Sequence, residues 1–165
     1  MKMNRRTFVH SSIVASAASR MLIPSFSRNN EPLRIAVVGF RSRGKALIKA
    51  IHGCNNAQLV GLCDVDEKIL AESEPDNSKL IRVDDFRRLL DRDDIDVIAS
   101  ATPNHWHTAI AMHSVMAGKH VYIEKPISHN MRESRMVVAA AEATGKLIQC
   151  GFQNRSDTAL SLIHI

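Results

Sequence analysis

Three short stretches of this sequence carry side chains that could do chemistry. In Gly39-Phe40-Arg41-Ser42-Arg43-Gly44, two glycines bracket a turn whose backbone amides could lie against a phosphate. Asp64 follows 25 residues after Gly39, the spacing at which a carboxylate accepts the hydroxyls of an adenosine ribose. Hydrogen bonds to a charged group are worth about 1.5–3 kcal/mol, and the same carboxylate repels a 2′-phosphate, so the pattern favours NAD over NADP. Arg41 or Arg43 could soften that choice, and Arg41 stands where the second glycine of G-x-G-x-x-G lets the backbone approach a pyrophosphate. Thr102-Pro103-Asn104-His105-Trp106-His107 gathers three ring side chains at what reads as a strand end, and spacing alone does not choose between His105 and His107. Glu124-Lys125-Pro126 sets opposite charges side by side, the lysine able to hold a proton near a reacting hydroxyl or carbonyl.

The elements that must position these stretches follow from periodicity. Ile35, Ala36, Val37 and Val38 form an apolar, largely β-branched run too short for a helix, which reads as a strand buried on both faces. Ala46, Leu47, Ala50 and Ile51 then recur at helical spacing, so the glycine turn delivers a helix N-terminus with unpaired N–H groups. Further strands are expected at 58–64, 80–83, 96–101, 120–123 and 146–151. Helices are expected at 65–71, around Phe86, Leu89 and Leu90, at 109–116 with Gly118 as its cap, and at 131–143 before Gly145, while 75–78 reads as a loop. Asn104 is placed to cap the helix after the fourth strand. Strand and helix alternate throughout, which predicts an α/β fold, a Rossmann-type doubly wound parallel sheet of about six strands.

Composition narrows the function classes. The chain is 45% hydrophobic but has no uncharged apolar run near the roughly 20 residues needed to cross a bilayer, so no membrane span is expected. The formal charge of +5 is concentrated before Pro32, where Lys2, Arg5, Arg6, Arg20 and Arg28 face one acid, Glu31. With that tail set aside the charge is nearly balanced, and aromatics make up only 4%, which argues against a nucleic-acid surface. Cys54, Cys63 and Cys150 are odd in number and show no C-x-x-C spacing, so neither a disulfide framework nor a metal site is expected, and Cys63 and Cys150 read as small apolar residues within strands. Asn4-Arg5-Arg6-Thr7-Phe8-Val9, followed by a weakly apolar, small-residue stretch, resembles a twin-arginine leader. That resemblance implies the twin-arginine export machinery as a partner and a periplasmic or exported location.

The order G-F-R-S-R-G, C-D-V-D, A-T-P-N-H-W-H, A-G-K-H-V-Y-I-E-K-P and C-G-F-Q-N-R resembles the N-terminal domain of the Gfo/Idh/MocA oxidoreductases, over residues 33 to about 155. The resemblance implies that Gly39, Phe40, Arg41, Ser42, Arg43 and Gly44 cradle the pyrophosphate of NAD, with NADP possible, and that Asp64 holds its ribose. Thr102, Pro103, Asn104 and His107 match the family's P-x-x-x-H loop beside the nicotinamide, which prefers His107 over His105. Glu124 and Asn154 join the cofactor set, and Lys125 is the catalytic residue, touching a sugar, cyclitol or polyol substrate and assisting proton transfer while hydride moves. The family also contains glycosidases that use bound NAD for transient oxidation, although the E-K-P triplet leans towards a dehydrogenase. The organisation expected is a leader at 1–32, an NAD(P)-binding domain at 33–152, and at 153–165 the start of a substrate domain. Family members continue into that second α/β domain and are expected to form homo-oligomers through it, so the chain reads as a fragment lacking a complete active site.

Overall fold

The computed structural model describes residues 31–74 and 77–152. The leader motif, part of the expected loop at 75–78, Asn154 and the rest of 153–165 lie outside the described residues. In chain order the elements are β1 (Leu33–Val38), α1 (Arg43–His52), β2 (Ala57–Cys63), α2 (Glu67–Glu72), β3 (Ile81–Val83), α3 (Arg87–Leu90), β4 (Val97–Ser100), α4 (Asn104–Met116), β5 (His120–Ile123), α5 (Met131–Thr144) and β6 (Ile148–Cys150). The six strands form one parallel sheet in the order β3-β2-β1-β4-β5-β6. The chain runs outward from β1 to β3, then returns beside β1 with β4 and runs the other way. Such a reversal opens a crevice at the carboxyl ends of the two central strands.

Alternation along β1 shows why the run is apolar throughout. Ala36 and Val38 pack with Ile98, Ile110, Val115 and Val137 on one face, and Val37 packs with Ile48, Ile51, Leu59 and Leu62 on the other. The α1 face is rotated from the one expected: Ala46 and Ala50 are exposed, while Gly44, Ile48 and Ile51 are buried. Two isoleucines a turn apart bury more surface than two alanines, and they win the contact with the sheet. Helix α4 starts at Asn104, five positions before the apolar spacing suggested, because its first turn buries the polar His107 and Thr108 rather than aliphatic residues. Pro103, not Asn104, stands at the cap position, with φ −57° and ψ 146°, a geometry that proline favours at a helix entrance. Helix α2 starts at Glu67, two residues later than expected, because the Asp66 carboxylate accepts the amides of Lys68 at 3.0 Å and Ile69 at 3.4 Å. Arg34 clamps the other end of the sheet, donating from Nε and an Nη to the two oxygens of Asp96, each at 2.9 Å.

The cysteines are free, with Cys63 buried at the end of β2 and Cys54 exposed. Burial pushes the Cys63 thiol up to about 12 from its ordinary value of 9.0. The folded chain therefore keeps this proton where the unfolded chain loses it, so the contribution to stability is full below pH 9 and is lost as pH rises towards 12. A thiol reagent at pH 8 is expected to label Cys54 promptly and Cys63 only after denaturant is added; equal labelling rates in the native chain would contradict the burial.

Candidate functional site

The sheet's hydrogen-bond ladder continues one residue beyond the strands, and that extension sets the site. Gly39 N–H donates to Cys63 O at 2.8 Å, Asp64 N–H to Val83 O at 3.3 Å, Ala101 N–H to Val38 O at 2.9 Å and Glu124 N–H to Ser100 O at 3.0 Å. Gly151 N–H donates to Ile123 O at 2.7 Å. The three stretches singled out in the sequence are thus brought together at the carboxyl ends of the strands.

The turn after β1 is tight. Gly39 has φ +75°, and a Cβ there would lie 2.8 Å from the Thr102 Cγ2, so the loops after β1 and β4 touch only because this side chain is missing. A Cβ on Gly44 would overlap the Gly39 carbonyl oxygen, so α1 begins pressed against the turn. Ser42 stands at the helix N-cap without a capping hydrogen bond, and no acid occupies the first turn. The leading amides of this ten-residue helix are therefore left to an outside acceptor, and their dipole suits an anion.

Beside the turn lies a cleft of about 690 Å³ between the ends of β1, β2, β3 and β4, within the range of small-molecule sites. It is lined by Gly39, Arg41 and Ser42 after β1, Asp64 and Val65 after β2, Asp84, Asp85 and Phe86 after β3, and Thr102, Pro103 and Trp106 after β4. Two of its carboxylates and one just outside it are already engaged: Asp85 by Arg87, Asp84 by Arg88 at 3.2 Å, and Asp66 by Arg41. The Arg87 guanidinium pulls the Asp85 carboxyl down to about 2. For Asp66, partial burial acts to raise its carboxyl, but the amides of Ile69 and Lys68 together with Arg41 hold it below its ordinary value. Asp64 differs. Its oxygens accept the backbone amides of Phe40 at 3.2 Å and Asp66 at 3.1 Å, and among the described residues no cation pairs with it. Two amides fix the carboxylate and leave acceptor capacity facing the cleft.

A second group lies at the ends of β4 and β5. His107 is buried, with Nδ1 2.6 Å from Pro126 O and Nε2 2.9 Å from Thr102 O, so its ring bridges the two loops. It does not line the cleft, and neither does His105; Trp106 does, while remaining 48% exposed. Glu124 is 4% exposed and accepts from Arg43 Nε at 2.7 Å and from the Tyr122 hydroxyl at 3.2 Å. Hydrogen bonding to Glu124 raises Arg43 further, and burial raises the Tyr122 hydroxyl. A Cβ on Gly151 would strike the Tyr122 hydroxyl, so that glycine makes room for the Tyr122–Glu124 bond. Lys125 follows on the surface, exposed and without an ion pair among the described residues. Replacing Arg43 by alanine leaves the buried Glu124 without its arginine, and because Arg43 is itself 37% exposed the expected loss is about 2 kcal/mol. Chemical denaturation would show it as a lower midpoint; an unchanged midpoint would make the pair energetically neutral.

Of the residues singled out in the sequence, Gly39 to Ser42, Asp64, Thr102 and Pro103 converge on the cleft. Asn104 is exposed on the first turn of α4. Arg43, Glu124 and His107 form supporting contacts, and Asn154 lies outside the described residues. Sequence reasoning missed the Asp84-Asp85-Phe86-Arg87 wall and the Tyr122–Glu124–Arg43 cluster. The acidic pair directly after a short strand was the available signal for the first.

The family model of the Gfo/Idh/MocA oxidoreductases, an NAD-binding Rossmann fold, matches residues 33–152. The chain belongs to this family. A glycosyl hydrolase family 109 protein of Solibacter usitatus is 34% identical over 128 residues, covering 70% of this chain and 29% of the relative. An alpha-N-acetylgalactosaminidase of Shewanella oneidensis is 28% identical over 139 residues, covering 79% and 30%. Among solved structures, the WlbA dehydrogenase of Bordetella pertussis in complex with NADH and UDP-GlcNAcA matches with a TM-score of 0.74 at 28% identity, covering 81% of this chain and 41% of that one. The chain spans about a third of the length of the curated relatives it matches. As a Gfo/Idh/MocA member it is an NAD(P)-binding Rossmann domain of the oxidoreductase type.

Proposed function

We propose that this domain binds NAD in preference to NADP, as the cofactor half of an enzyme acting on a sugar or related polyol. The observation that carries the reading is Asp64, a cleft carboxylate fixed by two amides and paired with no cation among the described residues, where an adenosine ribose can use its remaining acceptor sites. The fit extends along the rest of the dinucleotide. The uncapped first turn of α1 suits the pyrophosphate, and the apolar lining of Phe86, Pro103 and Trp106 suits a flat base. Bound here, the nicotinamide supplies hydride transfer, and every other role falls to side chains. His107 braces the loop that carries Lys125, Glu124 fixes the first residue of α1 through Arg43, and the exposed Lys125 ammonium is free to hold or give a proton at a substrate oxygen.

The sugar class is supported by the UDP-GlcNAcA in the WlbA complex and by the name of the Shewanella oneidensis relative. The same curated names favour a second reading, an NAD-dependent glycosidase in which the oxidation is reversed within the turnover. Calorimetric titration of the 165-residue chain with NAD and with NADP tests the binding claim; heat from neither coenzyme would overturn it. For the chemistry, a full-length relative should accumulate NADH in step with product if it is a dehydrogenase, whereas a cofactor that recycles without net reduction would establish the glycosidase.

A further inference from the structure

We infer that Asp66 helps to set the coenzyme preference by holding the Arg41 guanidinium away from the position of an NADP 2′-phosphate, an inference that rests on the dinucleotide reading above. Arg41 belongs to the turn proposed to face the phosphates, but its guanidinium pairs with Asp66, two residues beyond the proposed ribose carboxylate Asp64. An arginine near the ribose end of this fold is the usual means of accepting a 2′-phosphate. Here that arginine is already neutralised by the α2 N-cap. The other arginine lining the cleft, Arg87, is committed to Asp85, and the nearby Arg88 and Arg43 pair with Asp84 and Glu124, so a 2′-phosphate arriving beside Asp64 meets carboxylates rather than a released guanidinium.

The pair is solvent-accessible, with Arg41 69% and Asp66 29% exposed. Exposed pairs are held weakly, so removing the Asp66 charge should be enough to release Arg41. Asparagine and serine are both strong N-caps, so Asp66→Asn and Asp66→Ser remove the charge while keeping the start of α2.

The test is titration of the full 165-residue chain with NADH and with NADPH, for the wild type, both Asp66 variants, Arg41→Ala, and Arg41→Ala combined with Asp66→Asn. The expected result is that each Asp66 variant raises the NADPH-to-NADH affinity ratio about three- to fivefold, the worth of the exposed pair that no longer has to be broken, and that adding Arg41→Ala abolishes the rise. An unchanged ratio in both Asp66 variants would overturn the inference, as would a rise that survives the loss of Arg41. So would Arg41→Ala weakening both coenzymes alike, which would place the guanidinium on the pyrophosphate. A wild-type chain that binds neither coenzyme overturns the dinucleotide reading itself; NADH binding with an unmoved ratio overturns only the role of Asp66.

Discussion

Gly44→Ala is expected to destabilise the domain by about 3 kcal/mol, roughly a 10 °C fall in melting temperature. The added methyl group overlaps the Gly39 carbonyl oxygen and lies 2.8 Å from the Phe40 Cβ, and neither neighbour can yield. Gly39 is tied by its amide to Cys63 O, and Phe40 is 1% exposed in the core under α1. Relief requires α1 to back away from the sheet, which uncovers Ile48 and Ile51 and moves the amides of its first turn. The loss should therefore include coenzyme binding. Gly53→Ala is the control, since its Cβ would meet nothing nearer than 3.5 Å at φ −79°. A substitution with that much room is expected to leave stability within about 0.5 kcal/mol. Differential scanning calorimetry of the two variants decides the matter, and equal melting temperatures would refute the packing argument.

Asp64→Ala is expected to weaken NAD binding by one to two orders of magnitude, about 1.5–3 kcal/mol for hydrogen bonds to a charged acceptor. NADP should lose far less, because the deleted charge is one that a 2′-phosphate must otherwise approach. The carboxylate also receives the amides of Phe40 and Asp66, so the alanine variant disturbs the turn as well as the ligand site. Asp64→Asn narrows the disturbance: it removes the charge but keeps one oxygen, and with it one of the two backbone amide bonds. Calorimetric titration of both variants with both coenzymes is the measurement. Equal losses for NAD and NADP, with a lowered melting temperature, would assign Asp64 to structure alone.

The central strands were legible because they end in runs buried on both faces and stop at residues that break them. Val37-Val38-Gly39 and Leu62-Cys63-Asp64 each change character within one or two positions. Helix boundaries were less so. The start of α4 was hidden because His107 and Thr108, which the helix buries, do not register as apolar, and their partners come from the distant Pro126 and Glu133. The glycine turn and Asp64 could be read by spacing, since one carries backbone conformation and the other ends a strand. What Glu124 does could not, because its nearest partner is Arg43, 81 positions earlier. No local pattern encodes a pair of that separation; only the sheet order brings it together. Arg41 is the intermediate case: its departure from glycine is plain in the sequence, but its commitment to Asp66 is visible only in three dimensions.

The sheet order also governs when the site can exist. Strand β1 is flanked by β2 and β4, and its contact with β4 joins Arg34 to Asp96 across 62 positions. During synthesis the first β-α-β segment emerges with one edge of β1 bare and the Ala36 and Val38 face lacking Ile98, Ile110 and Val115. Open strand edges and uncovered apolar faces are where nascent chains associate wrongly. Insertion of β4 closes that edge of β1 and brings the Thr102 loop over Gly39, while the open edge passes to β4 until β5 pairs with it. The crevice therefore needs residues through Thr102: the first β-α-β segment supplies only part of it, and the rest comes with the strand on the far side of β1.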